Sequence, residues 1–249
     1  MIASSSLASL VMAIAAAWLC SYVLVALVRR KPNMRHRLRD VPSLMNWQAG
    51  VTICVLIFAL SPSPVRWLLF LVGGARMVYE AASIHRGQWS ANRAAAVLVT
   101  PVLPLFLMAM VLNIEGSAIT LVVAFFLSEV FDSFAYLGGK AFGKRHLAPD
   151  LSPNKTWEGL LTGAAVAFGV SLALIGFSVL SYEGAIICSA TTIVFATLGD
   201  LAASFGKRLA GVKDYPTLIA NQGGLLDMFD SWIYVAPITA LALQVATLP

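Results

Sequence analysis

The chain has 249 residues, of which 59% are hydrophobic and only 12% charged, with a formal net charge of +5 and a mean hydropathy of +0.82. Soluble domains carry roughly 25% charged residues, so this composition excludes a soluble globular protein, and the basic excess reads as membrane topology rather than as a nucleic-acid surface. Cys20, Cys54 and Cys188 all fall in apolar runs, which argues against a disulfide framework or a thiolate metal cluster and for small buried side chains.

In chain order, Ser6 to Val28 form an apolar run of about the 20 residues a spanning helix needs, too long for a signal peptide and without its small-residue cleavage site. The basic stretch RRKPNMRHRLRD, from Arg29 to Asp40, then belongs in the cytoplasm by the positive-inside rule. Trp47–Leu60 and Val65–Ser83 flank a proline-rich SPSP hairpin and make the second and third spans. Arg76 and Glu80 are spaced i, i+4 near the inner end of the third, where an ion pair lowers the cost of charge at that depth. The fourth span, about Ala94 to Leu112, holds Pro101 and Pro104 and is expected to kink. Ser117–Leu137 is the fifth, with Glu129, Asp132 and Tyr136 on one polar stripe, costly in lipid unless it faces a cavity or a cation.

A loop from Gly138 to Gly159 follows, with Lys140, Lys144, Arg145 and Lys155. Its glycines permit close backbone approach, and its lysines with Ser152 and Thr156 offer donors to phosphate oxygens, although the spacing is not that of a Walker A loop. Trp157–Leu180 and Gly184–Leu201 form the sixth and seventh spans, and Asp230–Thr247 the eighth. The fold is therefore expected to be all-α, a polytopic integral membrane protein with about eight transmembrane helices. Residues 1–113 supply the N-terminal membrane helices. Residues 114–249 supply a catalytic membrane region with cytoplasmic loops 138–159 and 202–229. Every Lys and Arg except Arg66 then lies on or towards the cytoplasmic side.

Residues Gly199 to Trp232 hold four of the twelve acidic residues, Asp200, Asp214, Asp227 and Asp230. On a helix, Asp200, Ser204, Lys207 and Arg208 share a face, and Asp227 and Asp230 share another after Gly223 and Gly224. Two acidic faces separated by a basic loop suit a cation and a polyphosphate, since magnesium takes one or two carboxylates and fills its other positions with water and phosphate oxygens.

These segments resemble the phosphatidate cytidylyltransferases, also called CDP-diacylglycerol synthases. The resemblance rests on SFGKRLAGVKD (Ser204–Asp214) and GGLLDMFDS (Gly223–Ser231), with DSFAYLGGKAFGK (Asp132–Lys144) and LAPDLSPNKTWEG (Leu147–Gly159) in matching order. It implies a polytopic helical enzyme, a homodimer, joining CTP to phosphatidate or a related lipid phosphate in the membrane and releasing pyrophosphate with Mg2+. Carried over by position, it implies Asp200 and Asp227 as metal ligands and Ser152, Lys155, Lys207, Arg208 and Lys213 beside the phosphates, with Asp132, Asp214 and Asp230 as further polar members. Lys144, Thr156, Ser204 and Gln222 join the substrate-binding set. Three positions depart from the family pattern: Gln222 replaces the histidine before Gly223-Gly224, Met228 replaces an arginine, and Ala203 replaces a glutamate beside the serine. Gln222 does not titrate near neutrality and Met228 removes a cation that could grip phosphate, while the implied metal pair Asp200 and Asp227 survives, which favours a working transferase with a divergent acceptor. A CTP-dependent lipid alcohol kinase and a non-catalytic lipid-binding or transport protein are the competing readings. The expected location is the bacterial inner membrane with the site facing the cytoplasm.

Overall fold

The computed structural model describes residues 63–84, 90–112, 116–216 and 224–246. The first two predicted spans, the basic stretch from Arg29 to Asp40 and Gln222 lie outside the described residues. Within them helix dominates, as α1 (Ser63–Ile84), α2 (Ala91–Val97), a π-helical turn (Leu98–Val102), α3 (Leu103–Val111), α4 (Ser117–Phe142), α5 (Trp157–Gly176), α6 (Tyr182–Leu209), α7 (Leu225–Phe229) and α8 (Trp232–Ala246). Between α4 and α5 lies an antiparallel hairpin of β1 (His146–Ala148) and β2 (Ser152–Thr156), pairing His146 with Thr156 and Ala148 with Ser152.

Among the described residues, five stretches are long and apolar enough to cross a membrane: Pro64–Ile84, Ser117–Phe142, Trp157–Gly176, Tyr182–Leu209 and Leu225–Ala246. The described chain is thus that of a helical integral membrane protein. The expected fourth span is broken rather than bent. Pro101 has no N–H to give the preceding turn, Thr100 leaves the helical region (φ −116°, ψ 60°), and the π-helical turn joins α2 to α3. The polar groups freed there find partners: Thr100 donates its hydroxyl to Ala96 O at 2.6 Å, and Tyr234 OH donates to Val99 O at 2.7 Å.

Two helix ends differ from the sequence expectation. α4 runs on through Gly138 and Gly139 to Phe142, and α6 runs past Leu201 to Leu209, so both expected cytoplasmic loops are shorter than 138–159 and 202–229. Lys140, expected in a loop, is helical, with its ammonium 4.5 Å from the centroid of the Tyr136 ring.

The chain divides into two compact units interleaved in sequence. In the unit comprising Gly50–Phe125 and Val194–Pro249, Met77, Ala81, Val97, Tyr215, Leu226 and Ile233 form a buried core. Phe125, Phe229 and Trp232 pack as an aromatic trio with centroids 5.6–6.4 Å apart, and the Trp232 indole N–H donates to Leu121 O at 3.2 Å. In the unit containing Phe126–Ile193, α4 and α5 meet through glycine. A Cβ on Gly159 would stand 2.5 Å from Ala135 O, and one on Gly163 would stand 2.6 Å from Phe131 O. Small residues at such crossings let two backbones approach closely in an apolar medium.

Candidate active site

The acidic and basic residues of the 199–232 region assemble because one helix ends and another begins beside it. α6 ends at Leu209 and the chain turns at Gly211, whose φ of 73° suits a residue without a Cβ. Gly211 N–H donates to Arg208 O and Val212 N–H to Lys207 O, both at 3.0 Å, the paired bonds of a Schellman ending. Arg208 adds Nη1–H to Val212 O at 2.9 Å. The turn exposes Lys213 and Asp214 and returns the chain with Tyr215 buried.

On the last turns of α6, Ser204 donates its hydroxyl to Asp200 Oδ1 at 3.3 Å. Lys207 reaches across to α7 and donates to Asp227 Oδ1 at 2.6 Å, with both side chains largely shielded from solvent (9% and 15% exposed). Charge-assisted bonds of this length in a shielded place are among the stronger ones. The same ammonium lies 5.3 Å from the Tyr215 ring centroid and within electrostatic reach of Asp230 and Asp200. Asp227 also gathers backbone: its Oδ2 accepts the N–H of Tyr215 at 2.7 Å and of Gly224 at 3.0 Å, so one carboxylate ties the incoming turn, the start of α7 and the end of α6. Asp230 closes α7 and accepts a weak bond from Ser231 Oγ at 3.4 Å. Burial pushes the Tyr215 phenol above the usual tyrosine range, with a Thr100 hydrogen bond opposing and the charges of Asp227 and Asp230 adding to it.

Beneath the start of α7 lies Glu80. Its carboxylate is fully buried and accepts from Arg76 Nε at 3.0 Å, Leu225 N–H at 3.3 Å and Leu226 N–H at 3.2 Å. The i, i+4 ion pair with Arg76 is as the sequence led us to expect. The two amide bonds, from residues 145 and 146 positions later, had no signal in local spacing. Tyr215 was missed for a similar reason, because its part is played by a backbone N–H and a ring face.

In the unit containing Phe126–Ile193, Glu129 and Asp132 are half-buried on α4. The hairpin carries Lys144 and Arg145 exposed and Ser152 and Lys155 half-buried. Glu158 Oε2 accepts the backbone N–H of Lys144 (3.0 Å) and Arg145 (3.2 Å), which fixes the hairpin's base while leaving the basic side chains to solvent. Thr156 Oγ1 accepts Gly159 N–H at 3.1 Å as the N-cap of α5, so this hydroxyl has a structural task.

Asp200, Ser204, Lys207, Asp227 and Asp230 therefore come together, whereas Arg208, Lys213 and Asp214 lie on the exposed turn beside them. Among the described residues no group of three or more His, Cys, Asp or Glu side chains is set to hold a metal ion unaided. The donor chemistry nevertheless suits a hard divalent cation: Asp200, Asp227 and Asp230, all within electrostatic reach of Lys207, bring carboxylate oxygens to one place.

The model of the cytidylyltransferase family matches residues 1–246 of this chain. A phosphatidate cytidylyltransferase of Haemophilus influenzae is 42% identical over 123 residues, covering 47% of this chain and 43% of that protein. One from Staphylococcus aureus is 40% identical over 122 residues (48% and 47%), and one from Bacillus subtilis 40% over 108 (43% and 40%). The chain thus spans less than half the length of these curated relatives in the matched stretch. With the family match running almost end to end, the chain belongs to the cytidylyltransferase family.

Proposed function

We propose that this protein transfers the cytidylyl group of CTP to phosphatidate or a closely related lipid phosphate, giving a CDP-lipid and pyrophosphate. The observation that carries the reading is the shielded cluster of Asp200, Lys207, Asp227 and Asp230 in a chain of this family. The name the relatives carry, phosphatidate cytidylyltransferase, supports the choice of nucleotide and acceptor.

In this reaction a phosphate oxygen of the lipid attacks the α-phosphorus of CTP, and the bond from that phosphorus to the bridging oxygen of the β-phosphate breaks. The attacking oxygen is already ionised at neutral pH, so no strong base is needed, and a glutamine at position 222 is compatible with turnover. The barrier is repulsion between anions together with charge developing on pyrophosphate. Lys207 supplies a positive charge that Asp227 orients, and Arg208 and Lys213 add cations on the exposed turn. In the unit containing Phe126–Ile193, Ser152 and Lys155 of the hairpin offer donors to phosphate, Lys144 adds an exposed cation that draws an anion in, and Asp132 is a further polar group; in the other unit Asp214 stands beside Lys213. Asp200 and Asp227 would hold magnesium, which when bound supplies Lewis-acid neutralisation of the phosphate charge. The active region falls within residues 114–249. The enzyme works as a homodimer in the bacterial inner membrane and faces the cytoplasm, where CTP is found.

The test is turnover of CTP with phosphatidate in detergent or vesicles, using CTP labelled in the cytidine in one arm and at the γ-phosphate in the other. Cytidine label in the lipid product is expected. γ-Phosphate label in the lipid would identify a kinase, and no transfer in either arm would overturn the reading.

A further inference from the structure

Glu80 makes bonds that its ion pair with Arg76 does not explain. It stands on α1, in a stretch apolar enough to cross a membrane, with its side chain 0% exposed. A carboxylate in such a place persists only when its oxygens are satisfied. Arg76, itself 36% exposed, supplies one N–H. The other two donors are the backbone N–H groups of Leu225 and Leu226, the first residues of α7, which helix geometry leaves without an acceptor inside their own helix. Gly224 makes this contact sterically feasible, since a Cβ there would stand 2.7 Å from Glu80 Oε2 and 2.7 Å from Tyr215 Cβ.

Asp227 sits on the same short helix and accepts Gly224 N–H while pairing with Lys207. α7 has only five residues, too few to hold itself in place by its own hydrogen bonds. Glu80 grips its first turn through Leu225 and Leu226, and Asp227 ties its other polar contacts to α6 and to the Tyr215 turn. We infer that Glu80 is a positioning residue for catalysis: by anchoring the start of α7 it aims the Asp227 carboxylate at Lys207 and holds the acidic cluster in register. Its carboxylate is 0% exposed beneath α7, whereas that of Asp227 is 15% exposed, so Glu80 acts through α7 and not on substrate. The inference rests on the reading that this cluster handles the phosphates of CTP.

The experiment pairs amide hydrogen exchange with kinetics on the full-length purified protein. In the wild type, Leu225 and Leu226 should exchange slowly although they open a five-residue helix. Glu80→Gln keeps the shape and one acceptor oxygen but turns an amide donor towards a backbone donor, and Glu80→Ala removes both acceptors. Each should speed exchange within residues 224–229 while leaving α4 and α5 protected. Each should also lower kcat by about 10–100-fold and raise the magnesium concentration for half-maximal rate, as loss of an orienting partner does, while KM for CTP moves less. Arg76→Gln, which leaves both amide bonds in place, should have a much smaller effect on all three readouts. Fast exchange at Leu225 and Leu226 in the unaltered protein would overturn the inference without any variant. So would an Arg76→Gln effect equal to that of Glu80→Ala, or Glu80 variants with unchanged kcat and magnesium dependence. A wild type with slow exchange but no cytidylyl transfer would overturn the functional reading and leave the anchoring of α7 intact.

Discussion

The acid–lysine region around α6 and α7 and the basic hairpin between α4 and α5 both carry the charge expected of a phosphate-handling surface, yet they are built in opposite ways. In the first, side-chain charge is the scaffold: Asp227 accepts three donors, Glu80 accepts three, and Lys207 is shielded between carboxylates. In the second, backbone and glycine are the scaffold. Glu158 binds two main-chain amides, Thr156 caps α5, and Gly159 and Gly163 allow the helices to touch, while Lys144 and Arg145 remain exposed. A charge change should therefore break the first region and a volume change the second.

The largest effect is expected from Asp227→Asn. The amide removes the anion that pairs with Lys207 and replaces one acceptor oxygen with a donor facing backbone or ammonium. Activity should fall on the order of 100-fold or more, and the protein should lose about 3 kcal/mol of stability because a shielded cation loses its hydrogen-bonded anion and two backbone N–H groups lose a charged acceptor. Asp200→Asn separates the two roles. Its remaining oxygen still accepts from Ser204, so turnover should fall comparably while stability changes by only about 1 kcal/mol. Kinetics and thermal unfolding of both variants check this. Equal stability losses would show that Asp227 is not the scaffold its bonds indicate.

That distinction was not visible in the sequence, although the residues were. The spacing of Asp200, Ser204, Lys207 and Arg208 led us to expect all four on one helical face, and the Asp200–Ser204 bond and the nearby Lys207 agree with it for the first three. Arg208, one residue further, turns about 100° away around the helix and caps the exposed turn instead. The two amides on Asp227 and the two on Glu80 depend on how the chain returns through Tyr215 and Gly224, and no periodicity encodes that. The hairpin was read as loop because its strands are three and five residues long, one of them containing a proline. Gly138 and Gly139 looked like a helix end, whereas α4 continues through them. A Cβ at Gly138 would collide with Thr162 and one at Gly139 would stand 3.0 Å from Thr156 Oγ1, so here glycine serves packing and not termination. The prolines of the fourth span were legible as a distortion, but the π-helical turn that absorbs it was not.

Gly159→Val is the matching break in the hairpin region. The added atoms would meet Ala135 O and the backbone of Gly139, and overpacking of this kind costs about 1–3 kcal/mol. We expect lower thermal stability and loss of hairpin protection in hydrogen exchange, with the bonds of Asp227 and Glu80 undisturbed. Tolerance of valine without a stability change would mean that close glycine contact is not what holds this region.

A smaller effect is expected from restoring the family residues in the first region. Gln222→His with Met228→Arg adds a cation on α7, and one charge-assisted hydrogen bond is worth roughly tenfold in specificity. If the natural residues shape the acceptor pocket for a different lipid phosphate, diacyl phosphatidate should gain about that factor relative to a dialkyl ether analogue. Specificity is a difference of two affinities, so both lipids are measured in both proteins. An equal response would show that these positions do not choose the acceptor.

The smallest effect should come from Lys144→Ala. Its backbone N–H, which donates to Glu158, is retained by alanine, so the hairpin keeps its geometry and only an exposed charge is lost. Exposed charges act on the approach of an anion more than on its bound state, and salt screens them over about 8–10 Å. The variant should lower kcat/KM for CTP by about two- to fivefold at low ionic strength, leave kcat nearly unchanged, and approach the wild type as salt is raised. Loss in kcat that persists at high salt would instead place the Lys144 ammonium against the reacting phosphates. The hairpin's charges would then be as closely engaged as Lys207, even though its framework is glycine and main chain.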